Sequence, residues 1–376
     1  MKKYKIAWLP GDGIGNELSL LAKNVLDILN ISIEYFNADI GWEFWKNEGN
    51  PLPERTIKIL NDTDCAFLVS ITSKSNDEAQ LELNNKLKSL NLKYISPIVQ
   101  LRKKFKLFTN IRPCYSFLGN INNLKDDIDL VIFRENTEGM YSGVEFKPVN
   151  EELYSVLKKY NQNMSHFDQF NLSDLAISTR IMSKNRCKSI VNEAFKYAKK
   201  NNIKDVTLVE KPNVLRETGQ LMIDCAKEIS QSYKDIQLNV FNIDAMCMQL
   251  VKNPNKFSVI VSENMFGDIL SDLAAQLVGG LGFAPSANIG NDYAIFEPCH
   301  GSAPKYTGLD KVNPIATFLS LKMMLDWLDE KEKSNILLES IKIVVSERKF
   351  GTYDMGLNNK SSELTAEICK QIKQLL

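Results

Sequence analysis

The segment ENMFGDILSDL, residues Glu263–Leu273, follows an apolar strand-like run at 257–261 and predicts the start of a helix. Asp268 and Asp272 are four residues apart, so a helix places both carboxylates on one face, about one turn from each other. Two hard oxygen donors on a rigid element suit Mg²⁺ or Mn²⁺. Acidic side chains near a helix start also complement the helix dipole. The pair alone favours the dipole explanation, so a metal-binding role requires support from other parts of the chain.

The bulk composition is that of an ordinary globular protein. Of its residues, 44% are hydrophobic and 24% are charged. The length of 376 residues predicts two domains with separate cores. Basic and acidic residues both number 46, so the balanced charge predicts no nucleic-acid partner and no attraction to an anionic membrane. No run approaches eighteen apolar residues, and the run Ile6–Leu9 is too short for a signal peptide, so no membrane span is expected.

Cysteine and histidine usage narrows the possible chemistry. The seven cysteines are scattered without a C-x-x-C pair, which predicts reduced thiols and a cytoplasmic protein and argues against a zinc ribbon. The only histidines are His166 and His300, which excludes a multi-histidine metal site and argues against a Ser-His-Asp site. Acid–base chemistry is therefore expected from Lys, Tyr, Asp or Glu.

Strand-like and helical segments alternate along the chain. This alternation predicts an α/β architecture with a largely parallel sheet. The first strand runs into PGDGIG, residues 10–15, whose glycine spacing differs from the dinucleotide fingerprint and fits a tight strand–helix turn equally well. The polar stretch 72–91 predicts a surface loop or an exposed helix. Strands are predicted at 4–9, 31–36, 64–70, 129–134, 205–210, 237–243 and 257–261, and helices include 184–200, 214–232 and 245–251.

Several charged or polar side chains in the middle of the chain have two possible roles. Arg102, Arg112 and Arg134 are either unrelated salt-bridge arginines or a cluster that clamps carboxylates. Arg134 closes an apolar strand, where its charge is costly unless it is paired. Tyr141 is either a core aromatic or a proton donor. Lys211 is either a solvated strand-end lysine or a desolvated functional one.

Further along, Asp244 is explained by a helix N-cap when taken alone. Gly-rich and Pro-rich loops at 279–290 and 296–308 allow close backbone approach and offer N–H groups to phosphate. His300 lies in the second loop rather than on an apolar face, which weakens a purely structural role for it.

Together these stretches resemble the β-decarboxylating dehydrogenases, the family of isocitrate, homoisocitrate, 3-isopropylmalate and D-malate or tartrate dehydrogenases. The resemblance implies that family's fold, a large doubly wound α/β domain plus a smaller α/β domain with a clasp, and not a Rossmann fold. It implies a large nucleotide-binding domain at 1–107 and 279–376. The small domain, for substrate, metal and dimerisation, would be 108–278 with a clasp at about 139–183. The motifs are LPGDGIG (9–15), RENTE (134–138), NMFGDILSD (264–272), HGSAP (300–304) and TYD (352–354).

The resemblance also implies a role for each candidate residue in the oxidative decarboxylation of a 2-hydroxy acid. A homodimer with shared active sites would bind Mg²⁺ or Mn²⁺ through Asp268 and Asp272 together with Asp244 from the other subunit. Tyr141 and Lys211 match the catalytic pair, with Lys211 reaching across the dimer interface. The implied substrate-binding residues are Ser96, Arg102, Arg112 and Arg134. The implied nucleotide-binding residues are Asn213, Glu297, His300, Gly301, Ser302, Ala303, Pro304, Lys305, Tyr306, Asn313 and Tyr353.

Departures from the family pattern bear on substrate and cofactor. Ile98 replaces the asparagine expected two residues after Ser96 in isocitrate dehydrogenases and looks more like homoisocitrate dehydrogenases, whereas 134–138, 244–251 and 279–290 look closest to isocitrate dehydrogenases. Isocitrate is the first expectation, and homoisocitrate, 3-isopropylmalate or D-malate is the alternative. Lys305 stands where NAD-dependent relatives usually place an acid, and Tyr353 matches an NADP-type tyrosine, although Leu357 replaces the expected arginine. NADP is therefore expected rather than NAD.

A rival from another class is a non-catalytic regulatory subunit of a hetero-oligomeric dehydrogenase. Such a subunit is expected to lose metal or catalytic residues, and here all of them are present. Its only support is the atypical segment 70–77, which replaces the family's Gly-Pro and Thr-rich loop.

Overall fold

The computed structural model describes residues 3–376. Its strands are β1 (Tyr4–Gly11), β2 (Ile33–Asn37), β3 (Cys65–Ser70), β4 (Thr109–Tyr115), β5 (Asp129–Glu135), β6 (Glu145–Phe146), β7 (Ile177–Ser178), β8 (Asp205–Glu210), β9 (Gln237–Asn242), β10 (Val259–Ser262), β11 (Pro285–Ile289) and β12 (Ala294–Pro298). Its helices are α1 (Gly15–Ile28), α2 (Trp42–Glu48), α3 (Glu54–Asn61), α4 (Asn76–Glu82), α5 (Asn85–Lys88), α6 (Pro97–Lys104), α7 (Glu151–Tyr160), α8 (Lys184–Lys200), α9 (Arg216–Ser230), α10 (Ile243–Lys252), α11 (Asn264–Leu277), α12 (Ile315–Trp327), α13 (Lys331–Glu347) and α14 (Ser361–Leu375).

One large sheet organises the described part of the chain. Its ten strands lie in the order β2-β1-β3-β12-β11-β4-β5-β10-β8-β9. Pairing is parallel toward both ends of the sheet and antiparallel only where β11 meets β12 and β4, and where β4 meets β5. The predicted largely parallel α/β sheet is confirmed, with an antiparallel centre that the strand predictions did not include.

Helices cover both faces of this sheet. Along β5, Val131 and Phe133 pack toward α8 and α9, while Leu130 and Ile132 pack toward α10 and α11. Along β1, Ile6 faces one apolar cluster and Ala7 faces another. Burial on both faces explains why these strands are continuous apolar runs in the sequence. The doubly wound α/β expectation is confirmed, whereas the proposed domain boundaries stay a prediction.

Two peripheral regions lie outside the large sheet. The polar stretch 72–91 forms the short helices α4 and α5, yet Ala79 and Leu83 are buried against Trp42 and Trp45. Residues 145–178 form a small arm in which β6 pairs antiparallel with β7.

None of the helices within residues 3–376 is long and apolar enough to cross a membrane. All seven cysteines are free thiols.

The register of the sheet sets the location of the site. Arg134 near the end of β5 lies beside Asn110 of β4 on one side and Ser262 of β10 on the other. Because α11 begins directly after β10, its first turns are carried to the same edge. Residues from β4, β5 and α11 therefore meet at one point.

Candidate active site

The start of α11 does not use the two aspartates to stabilise its dipole. Glu263 is the N-cap, and its carboxylate accepts a hydrogen bond of 2.8 Å from the Phe266 N–H. The first turn contains no acidic residue, because Asp268 and Asp272 lie further along the helix. A Cβ at Gly267 would lie 2.8 Å from the Arg134 Cβ, so glycine permits the close approach of α11 to β5.

Three predicted side chains converge on Asp268. Its Oδ1 forms a short ion pair with Arg134 Nη1 and lies 3.1 Å from Arg112 Nη1. Tyr141 donates its hydroxyl proton to Asp268 Oδ2 at 2.5 Å. The Arg134 guanidinium also lies 5.1 Å from the centre of the Tyr141 ring. The structure therefore brings a predicted metal ligand, a predicted catalytic residue and two predicted substrate arginines together.

The charges in this cluster act on one another. Burial raises the pKa of Asp268, but the charges of Arg134 and Arg112 outweigh it, and that pKa lies below its ordinary value. Burial, followed by the hydrogen bond to Asp268, raises the pKa of Tyr141, so its phenol is protonated at neutral pH. Burial and then the charges of Arg112 and Arg102 lower the pKa of Arg134, because like charges nearby disfavour its protonated form.

The third arginine, Arg102, contacts a residue predicted to bind the nucleotide. Arg102 Nη2 lies 3.3 Å from Glu297 Oε1, so a predicted nucleotide-binding acid pairs with a predicted substrate arginine. Ser96 precedes α6, and its hydroxyl lies 3.1 Å from that of Ser73. Ile98 packs partly buried against the apolar cluster that contains Leu101. The side chain at 98 thus has an apolar environment.

Two other predicted residues, Lys211 and Asp244, lie apart from this cluster. Lys211 Nζ forms an ion pair of 2.6 Å with Asp244 Oδ1, and the hydrogen bond from Lys211 lowers the pKa of Asp244. Asp244 is not the N-cap of α10, because that position is Asn242. Within residues 3–376, no hydrogen bond or ion pair joins Lys211 or Asp244 to Asp268, and no three His, Cys, Asp or Glu side chains are arranged to hold a metal.

The pair on α11 nevertheless fits a divalent metal. Arg112 Nη1 lies 3.1 Å from Asp268 Oδ1 and 3.3 Å from Asp272 Oδ1, so both carboxylates point at one positive charge. Magnesium is typically held by one or two carboxylates, with its other positions filled by water or substrate oxygens. Asp268 and Asp272 provide such a donor set.

A separate cavity of about 500 Å³ collects residues from the Gly-rich loops. His300 lines it with an Nε2 atom that is buried and has no hydrogen-bond partner among the described residues. The His300 Nδ1 lies 3.1 Å from the Gly301 carbonyl oxygen, and burial lowers the pKa of this ring. An unpartnered ring nitrogen in a glycine-lined cavity fits a polar ligand. Six predicted nucleotide residues line it: His300, Gly301, Ala303, Tyr306, Asn313 and Tyr353.

The other predicted nucleotide residues do not line this cavity. Ser302 shares a hydrogen bond of 2.6 Å with Thr72, and a Cβ at Gly13 would overlap the Ser302 carbonyl. Lys305, which follows Pro304, holds its ammonium 4.9 Å from the centre of the Tyr306 ring. Glu297 pairs with Arg102, as described above. Asn213 is exposed in the turn after β8, two residues after Lys211 in the chain, and does not line the cavity.

Comparison with known proteins decides the family. A sequence model described as isocitrate/isopropylmalate dehydrogenase matches residues 5–372. The chain belongs to this family. The predicted resemblance is therefore confirmed, and so is an NAD(P)-dependent dehydrogenase of the metal-dependent, β-decarboxylating class.

Individual relatives of this dehydrogenase carry different substrate names. A homoisocitrate dehydrogenase of Methanocaldococcus jannaschii is 38% identical over 99% of this chain and 99% of its own length. Protein DlpA of Legionella pneumophila is also 38% identical over 99% of this chain, which spans only 59% of that protein. The crystal structure of isocitrate dehydrogenase from Methylococcus capsulatus has a TM-score of 0.85 at 31% identity, covering 99% of this chain and 100% of that one. Similarity alone does not choose the substrate.

Three buried residues of the candidate site were not predicted from the sequence. Asn110, Asn264 and Asn288 are fully buried and contact the three arginines. Asn110 and Asn288 carried no usable signal, because β4 and β11, in which they lie, were not predicted as strands. Asn264 carried none, because it also suits the start of a helix.

Proposed function

We propose that this dehydrogenase converts isocitrate to 2-oxoglutarate and CO₂ with reduction of NADP, using Mg²⁺ or Mn²⁺. The convergence of Arg112, Arg134 and Tyr141 on Asp268 is the observation that supports it. A cluster of buried guanidiniums suits a substrate with several carboxylates, because each can bind two carboxylate oxygens. Arg102 lies in the same electrostatic environment and would hold a further carboxylate.

The side chains have chemistry that matches oxidation followed by decarboxylation. The bound metal would supply a Lewis acid that polarises the substrate's oxygens. Tyr141 would give its proton to carbon after CO₂ leaves, since its raised pKa keeps it protonated at neutral pH. Lys211 would assist removal of the hydroxyl proton as hydride passes to the nicotinamide. Ser96 and the three arginines would fix the carboxylates.

We propose that the site is completed in a homodimer. Among the described residues, no hydrogen bond or ion pair joins Lys211 or Asp244 to Asp268, so each subunit's pair would serve the site of the other subunit. Exposed apolar side chains lie on α10, which carries Asp244, and on the adjoining α11, as expected for a face covered by a second copy. The exposed fractions are 73% for Met248 and 53% for Val251 on α10, and 53% for Ile269 on α11.

The nucleotide would bind in the cavity beside His300. NADP is favoured because Lys305 adds positive charge beside Tyr306, whose hydroxyl lies 3.2 Å from that of Tyr353. These groups would bind a 2′-phosphate. Asn213 would reach the nucleotide together with Lys211 from the other subunit.

We further propose that residues 1–107 and 279–376 form the large domain and that residues 108–278 form the small domain. We also propose a cytoplasmic location.

Homoisocitrate is a second candidate, because of Ile98. An apolar side chain there cannot donate the amide hydrogen bond that helps isocitrate dehydrogenases bind the substrate. The 38% identical relative from Methanocaldococcus jannaschii is named a homoisocitrate dehydrogenase. The two acids differ by one methylene, for which an apolar pocket discriminates by only about 10- to 200-fold.

A steady-state screen tests the proposal. Purified protein with Mg²⁺ or Mn²⁺ is given isocitrate, homoisocitrate, 3-isopropylmalate, D-malate and tartrate, each with NADP and with NAD, and absorbance of the reduced nucleotide is followed. The expected result is the highest kcat/KM with isocitrate and NADP. A higher value for homoisocitrate would select the second candidate. No turnover with any pair would contradict the catalytic assignment and favour a regulatory subunit.

A further inference from the structure

Each of the three arginines in the cluster is held in the same way by a different asparagine. In every case the guanidinium Nε donates to the side-chain oxygen of an asparagine that is 0% exposed. The distances are 3.0 Å for Arg102 to Asn288, 2.8 Å for Arg112 to Asn110 and 3.0 Å for Arg134 to Asn264.

The three asparagines come from separate elements, so no single local motif produces the arrangement. Asn110 lies in β4, Asn288 in β11, and Asn264 is the first residue of α11. Asn110 also donates to Asn288 Oδ1 at 3.1 Å, which couples two of the three pairs. Asn264 accepts a second bond of 2.7 Å from Arg134 Nη2.

An amide oxygen orients a guanidinium without cancelling its charge. Arg134 shows the consequence: its Nε and Nη2 edge is fixed by neutral Asn264, while its Nη1 points at Asp268. An aspartate at position 264 would accept the same bonds, but its negative charge would reduce the attraction of Arg134 for an anion.

We propose that Asn110, Asn264 and Asn288 are positioning residues that fix each arginine through its Nε. They do so without adding negative charge to a cluster that already contains Asp268 and Glu297, so that the cluster keeps its attraction for a polycarboxylate substrate. The inference rests on the proposed function, because it takes the arginines to bind substrate carboxylates. It adds the requirement that the buried acceptors be neutral. Neutrality separates this role from simple support of the fold, for which an isosteric acceptor suffices.

Asn264→Asp tests the requirement with little change in shape. The variant keeps the acceptor oxygen and loses only the 3.2 Å bond from Asn264 Nδ2 to the Glu138 carbonyl. The KM for the hydroxy acid is expected to rise roughly 10- to 100-fold, with a smaller change in kcat, because the interaction of Arg134 with a substrate carboxylate is weakened. The rise of KM with salt should also be less steep than in the wild type, since one fewer effective charge attracts the substrate.

Asn120→Asp is the matched control. Asn120 is 7% exposed and donates to the Val278 carbonyl at 3.2 Å, so its variant also loses one amide donor, and Asn120 contacts no arginine. Its KM should stay within about twofold of the wild type. Thermal unfolding identifies any variant that does not fold. Asn110→Asp, which acts on Arg112, is a second test with the same expected direction.

Calorimetric titration with isocitrate and with homoisocitrate, with Mg²⁺ and without nucleotide, separates the possible failures. A wild-type protein that binds neither acid contradicts both the proposed function and the positioning role. Binding by the wild type together with equal binding by folded Asn264→Asp and Asn110→Asp contradicts only the positioning role. Weakened binding by these two variants, with the control unaffected, supports it.

Discussion

Asp268 and Asp244 are both predicted metal ligands, yet their surroundings differ. The Asp268 side chain is 30% exposed and contacts two arginines and Tyr141. The Asp244 side chain is 64% exposed and contacts Lys211. One half of the site is thus held in place by buried contacts within the subunit. The other half is a surface ion pair, which under the proposed dimer would join a site only when a second subunit covers it.

The largest expected effect is on turnover, and it should be similar for both halves. Asp268→Asn and Asp244→Asn should each lower kcat/KM by about a thousandfold or more, because each removes a carboxylate that would hold the metal. Steady-state assays with saturating Mg²⁺ measure this. Asp126→Asn, at an exposed acid with no role in the site, is the control. A near wild-type rate for Asp268→Asn would contradict the metal assignment.

Mixed dimers test directly whether the two halves belong to different subunits. Tyr141→Phe and Lys211→Met should each reduce kcat by at least about a hundredfold. Co-expression of the two should restore about one quarter of wild-type activity. Random pairing makes about half of the dimers mixed, and each mixed dimer contains one intact site.

Differently tagged chains allow the mixed dimer to be purified and assayed. If Tyr141 and Lys211 served the same site within one subunit, every site in the mixed dimer would lack one of them. Activity no higher than that of the single variants would therefore contradict the shared site. Mixing the two proteins after separate purification, under conditions that prevent subunit exchange, is the matched control.

Secondary-structure elements differ in how well they could be predicted from the sequence. Helix α8 begins and ends at the predicted residues 184 and 200, since its apolar spacing is regular and Ser183 caps it. Five strands were missed, namely β4, β11 and β12 of the large sheet and β6 and β7 of the small one. Pro113 and Arg112 interrupt β4, and β11 begins at Pro285 and contains Asn288, so neither has the apolar pattern of a strand.

For the site, residue identity was predictable but spatial grouping was only partly so. The i, i+4 spacing of Asp268 and Asp272 defines their shared face, because it depends only on helix geometry. The placement of Glu297 beside Arg102 depends on β12 and α6, which are almost 200 positions apart in the chain. Long-range packing of this kind has no local signal. The separation of Asp244 from Asp268 within one chain likewise becomes visible only in the fold.

A smaller effect is expected on stability, and here the two halves should differ. Asp268→Asn leaves Arg134, which is 1% exposed, with fewer charged partners, and should lower the free energy of unfolding by about 1–3 kcal/mol. Asp244→Asn should leave it unchanged within error, because exposed ion pairs contribute little. Urea unfolding monitored by fluorescence measures both variants. Equal destabilisation would show that the Lys211–Asp244 pair is also a structural element of the subunit.

The smallest expected effect is on the pH dependence of stability. Burial raises the pKa of Asp268, but Arg134 and Arg112 hold it below its ordinary value. The ionised carboxylate is therefore more favourable in the folded state than in the unfolded state. This stabilisation is complete above the unfolded-state pKa of about 3.9 and is lost as the pH falls through the lower folded-state value. The difference in stability between wild type and Asp268→Asn should therefore be constant from pH 7 to about 5 and narrow only below about 4. Urea midpoints measured across this range check it, and a difference that already narrows between pH 7 and 6 would show that the Asp268 carboxylate is not held by the two arginines.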